Sequence, residues 1–159
     1  TTAASKNDNV IVFVSISDRK RGDAPGLLGT TMKSVWEEFI IPMMPKNVSI
    51  ELGGNPVRKT YDFLGVADKD AKCLNKHTVY SSKDDIETSF PERSLSKYLP
   101  RLYENNLIET YETARTTSGT AIREFLDDDD FESFYQHMPD VFTKRTSKIM
   151  FDILKDGLI

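Results

Sequence analysis

The chain has 159 residues and a formal net charge of −4, from 21 Lys and Arg against 25 Asp and Glu. At 38% hydrophobic and 29% charged residues it has the composition of a globular domain with a real core, and its acidic balance argues against general nucleic-acid binding. A single cysteine, Cys73, excludes an internal disulfide and a cysteine-based zinc cluster, which fits a reducing, cytoplasmic setting, and the longest apolar runs are strand-length, too short to span a membrane.

After a polar start, Val10 to Ile16 is a continuous β-branched and apolar run, the pattern of a strand buried in a parallel sheet. It breaks into Ser17 to Asp23, where Arg19, Lys20 and Arg21 follow the carboxyl end of the strand. Parallel sheets bind ligands at that end, so Arg19 is a candidate phosphate contact; a solvated charge run is the alternative. Met32, Val35, Trp36, Phe39 and Ile40 then repeat at helical spacing behind Thr31 as a cap, and Pro42 and Pro45 end that helix. Val48 to Leu52 alternates as a second strand and stops at Gly53-Gly54. Asn55-Pro56 opens a short helix carrying Val57, Tyr61 and Leu64, with Gly65 as its expected stop.

Thr78 to Tyr80 reads as a short third strand. Ser81 to Asp85 follows it, with Lys83 as a candidate phosphate contact and Asp84 or Asp85 as a metal or hydroxyl partner, set against an ordinary polar turn. Ile86 to Leu99, which contains Pro91, is expected to be irregular or partly helical, in the manner of a flap. Leu107 to Glu112 is the fourth strand. Beyond the next segment, Asp127 to Asp130 is expected to end one helix and cap another at Asp130, rather than to hold a metal. A terminal helix carries Phe142, Ile149, Met150, Ile153 and Leu154 on one stripe and stops at Gly157. Alternating strands and helices predict an α/β fold: a parallel sheet with flanking helices and a helical tail, in one domain over 1–159.

The stretch with the most chemistry is Thr116-Thr117-Ser118-Gly119-Thr120-Ala121-Ile122-Arg123, between the fourth strand and a helix. A strand that breaks at hydroxylated residues and reopens as a helix leaves free backbone N–H groups at the helix start. Those donors, the hydroxyls of Thr117, Ser118 and Thr120, and Arg123 one turn in suit a phosphate, while Gly119 permits close approach. An ordinary capped helix is the alternative. Other common sites are missing from the sequence: there is no G-x-S-x-G, no P-loop, no G-x-G-x-x-G after a strand, and neither His77 nor His137 has metal-ligand spacing.

Thr117 to Arg123 resembles the I-S-S/G-T-x-I-R signature of the nucleotidyltransferase superfamily, with Thr117 in place of the usual apolar first residue. The tail, through Phe131-Glu132-Ser133-Phe134 and Met138-Pro139, is similar to phage and environmental members. The resemblance implies a Rossmann-like sheet and Mg²⁺ with ATP or CTP. It implies phosphate contacts from Ser118, Gly119 and Thr120, charge stabilisation by Arg123 as the catalytic group, and a place for Lys83 on the nucleotide rim. It further implies transfer of a nucleotidyl group to a small phosphate- or hydroxyl-bearing acceptor. The family's H-x-G-H element, expected before Val10, does not occur in this sequence, so the resemblance implies an N-terminally incomplete domain or a degenerate relative. Two readings stay open: an enzyme when the histidine element is present, or a non-catalytic binding or structural module. A homo-oligomer is compatible with either.

Overall fold

The computed structural model describes residues 9, 11–16, 29–114 and 118–158. The fold is mixed α/β, with parallel strand pairing as the alternation predicts. Among the described residues the strands form two separate two-stranded sheets rather than one continuous sheet. The chain divides into two compact units: the first is Thr1–Gly54 with Thr117–Ile159, and the second is the intervening segment Asn55–Thr116.

In the first unit β1 (Val12–Ile16) pairs in parallel with β2 (Val48–Leu52), from Val12 opposite Val48 to Ile16 opposite Leu52. Parallel strands need a crossover, and here it includes helix α1 (Gly29–Val35), a π-helical turn over Trp36–Ile40 and a 3₁₀ turn over Ile41–Met43. Thr31, expected as the cap, lies inside α1. The apolar repeat holds up through Met32, Val35, Phe39 and Ile40, which join the core, while Trp36 is half-buried at the π turn. β2 ends where Gly53 and Gly54 take φ of 93° and 76°, a left-handed turn that favours glycine.

Among the described residues the other elements of this unit are helices: α6 (Gly119–Asp127), α7 (Phe131–Gln136) and α8 (Lys144–Asp156). These three helices and α1 pack around Val35, Leu126, Phe134, Phe142, Met150, Phe151 and Leu154. Phe134 and Phe151 meet edge-to-face at 5.2 Å between ring centres, and Phe131 sets its edge against Phe151 at 5.4 Å. The terminal stripe is rotated from the expected one. Ile149 is exposed, and Phe151 with Ser147 takes the innermost position. Phe142 precedes α8, so its phase does not set that of the helix.

Asp127 to Asp130 does what consecutive carboxylates at a helix junction do. Asp129 turns left-handed at φ 57°, the Asp130 N–H donates back to the Phe125 carbonyl at 2.8 Å, and the Asp130 carboxylate then caps α7 by accepting from Ser133 N–H at 3.1 Å.

In the second unit α2 (Pro56–Lys69) opens as expected, with the Asn55 side chain accepting from Arg58 N–H at 3.1 Å. It does not stop at Gly65; nothing lies within 4 Å of that glycine's missing side chain, and the helix continues to Lys69. A helix interior tolerates glycine at a cost of about 1 kcal/mol when packing on either side holds it. Here Leu64 and Asp68 are buried on either side. β3 (His77–Ser81) pairs in parallel with β4 (Ile108–Glu112), with His77 opposite Ile108.

The expected flap between them is instead three short helices: α3 (Lys83–Ser89), α4 (Glu92–Tyr98) and α5 (Pro100–Glu104). Pro91 and Pro100 sit at helix starts, where a missing N–H costs nothing, so they divide the segment without making it irregular. Ile86 is buried on α3, and Phe90, Leu95, Leu99 and Leu102 fill the core with Leu64, Val79 and Ile108. The buried Asp68 carboxylate accepts from Leu102 N–H at 2.9 Å, satisfying a donor in the first turn of α5. Tyr61 stacks on Phe90 and donates its hydroxyl to the Ser89 carbonyl at 2.6 Å; burial raises its phenol pKa above the ordinary value.

Candidate functional site

Helix α6 begins where the sequence places the phosphate motif. Ser118 is its cap: extended at φ −104°, it accepts from Ala121 N–H at 3.1 Å through its hydroxyl, and its carbonyl accepts from Ile122 N–H at 3.2 Å. The second is the first regular bond of the helix; the cap itself satisfies one of the four N–H groups that helical geometry leaves open, that of Ala121. Gly119 and Thr120, both exposed residues, carry two of the other three.

Arg123 folds back over this start. Its Nη2 donates to Thr120 Oγ1 at 3.3 Å, and its Nη1 lies 3.0 Å from where a side chain on Gly119 would begin. The guanidinium thus takes the space that the absent Cβ leaves. Arg123 Nε is buried without a hydrogen-bond partner. The first turn of α6 carries no acidic residue.

A guanidinium at the positive end of a helix is electrostatically misplaced, since helix starts favour anions and helix ends favour cations. Arg123 therefore adds its charge to the helix dipole instead of cancelling it. The Thr120 hydroxyl and Arg123 lie together at this start, beside the amide-bearing residues Gly119 and Thr120, a set of groups whose chemistry suits an oxyanion of phosphate type. Among the described residues no group of three His, Cys, Asp or Glu is placed to hold a metal. This donor set fits Mg²⁺ only as an ion carried by phosphate oxygens and water, the manner in which Mg²⁺ commonly accompanies nucleotides.

Thr117 and Arg19, the other candidate contacts in the first unit, lie outside the described residues. Lys83 belongs to the second unit, as the first residue of α3. There Ser82 caps the helix through Asp85 N–H at 3.3 Å, and Asp84 and Asp85 already supply negative charge to the first turn. Ser81 Oγ donates to Asp85 Oδ2 at 3.5 Å. His137 places Nδ1 2.8 Å from the Ser133 carbonyl and tilts its ring against Phe125, which anchors it within its own helix pair. His77 begins β3 with a buried, unpartnered Nδ1.

Sequence reasoning named Ser118, Gly119, Thr120 and Arg123 from residue type and order, and the structure places all four at the start of α6. It missed how Arg123 and Gly119 depend on each other. The available signal was their separation of four, which puts two residues on the same helix face. Comparison with known proteins adds no further constraint: no family model, no curated protein and no solved structure matches the chain.

Proposed function

We propose that the start of α6 binds the phosphate of a nucleoside triphosphate, ATP or CTP, and that the chain is a nucleotidyltransferase-like domain. The observation that carries this reading is the Arg123 guanidinium folded over Gly119 at a helix start with no acidic residue in its first turn. Ser118 fixes the start, the Gly119 and Thr120 amides donate to phosphate oxygens, and Arg123 and the Thr120 hydroxyl complete the set. In this reading the parallel α/β pairing is of Rossmann-like kind, the setting is cytoplasmic, and Mg²⁺ arrives with the nucleotide.

In this reading the reaction is attack of an acceptor oxygen on the α-phosphorus. The bond from that phosphorus to the bridging oxygen breaks, pyrophosphate leaves, and Arg123 stabilises the charge that develops on the phosphoryl oxygens. A second reading, binding without transfer, is favoured by the histidines. His137 is held by Ser133 and Phe125 and His77 lies on β3, and neither stands in an H-x-G-H order.

Titration calorimetry with ATP and CTP in the presence of Mg²⁺ tests the site. Arg123→Ala is expected to weaken binding by about ten- to a hundredfold, the worth of one hydrogen-bonded charge pair. Equal affinities of the wild type and this variant, or no binding by the wild type, would sink the proposal. Pyrophosphate release on addition of small phosphorylated or hydroxylated acceptors then separates transfer from binding alone.

A further inference from the structure

We draw no further inference here: the strongest candidate, the exposed ring pair of Tyr80 and Tyr111 on neighbouring strands of the β3–β4 sheet, 61% and 60% accessible, is an unpartnered face, and nothing in the structure shows what covers it.

Discussion

Arg123 and Gly119 make a claim that a single pair of substitutions can examine. A methyl group on Gly119 would start 3.0 Å from Arg123 Nη1, so the guanidinium must give way. The obstacle is the far end of a flexible side chain, and alanine is the better helix former. Gly119→Ala is therefore expected to keep or slightly raise the melting temperature while weakening ATP or CTP binding several-fold. Calorimetry and thermal melts on the same preparation check both halves; unchanged affinity would show that the position of Arg123 over Gly119 does not matter to the ligand. The residue types of this site were legible in the sequence because N-caps and helix starts obey local rules. The folded-back arginine was not, because a side-chain rotamer depends on what else competes for its charge.

Helix junctions are the next level, and two of them rest on close contacts. At the end of α8, a side chain on Gly157 would meet Thr31 of α1 at 2.5 Å. Thr31 is β-branched and held inside a helix, so it cannot swing away freely. Gly157→Ala is expected to destabilise the fold by about 1–3 kcal/mol, as overpacking does, measured by urea denaturation. A neutral result would mean that α1 and α8 can slide apart locally. The sequence marked Gly157 as a helix stop, which it is, but its φ of −90° shows that crowding, not a left-handed turn, makes glycine necessary there.

The junction of α6 and α7 is electrostatic. A hydrogen bond from the Ser133 side chain, then one from its backbone N–H, lowers the Asp130 pKa. A hydrogen bond from Lys155, then its charge, lowers that of Asp129, with Nζ 2.7 Å from the carboxylate. Groups whose folded pKa lies below the unfolded value contribute stability above the unfolded value, near pH 4, and lose it as pH falls through the folded one. Asparagine still caps a helix and tolerates the left-handed turn. The double variant Asp129→Asn, Asp130→Asn is thus expected to flatten the loss of stability below about pH 4, read from melting temperature against pH. Parallel curves for variant and wild type would remove these two carboxylates from the acid limb.

Over the whole molecule, each unit carries its own core. Phe151 is fully buried in the first and Leu102 nearly so in the second. Truncations are expected to cost about 3–5 kcal/mol for Phe151→Ala and about 2–5 kcal/mol for Leu102→Ala. Hydrogen exchange should place the strongest loss of protection from Leu102→Ala within Asn55–Thr116 and that from Phe151→Ala in the flanking segments. Protection lost evenly along the chain in both variants would show that the cores do not act separately.

Among the described residues the strands lie within two residues of where the sequence places them, because a five-residue strand such as Val48–Leu52 declares itself locally, but one continuous sheet was expected and two separate pairs are seen. The division into units was not readable. Pairing of β1 with β2 and of β3 with β4 depends on contacts between segments far apart in sequence, and the crossing points, at Gly53-Gly54-Asn55-Pro56 and Thr116-Thr117-Ser118-Gly119, read equally as an ordinary strand stop and ordinary helix caps. The segment from Ile86 to Leu99 was hardest, since Pro91 suggests interruption while Phe90 and Leu95 are core residues.

The interleaved order of segments also sets a timetable for the chain as it is made. Synthesis runs from the N-terminus, and domains tend to fold as units while they emerge. Asn55–Thr116 is continuous, so all its core residues leave the ribosome together. The first unit has no such option. Met32, Val35 and Phe39 must wait, uncovered, until Leu126, Phe134 and finally Phe151 and Leu154 have been added. During that interval the apolar face of α1 lacks the C-terminal residues that cover it in the finished fold.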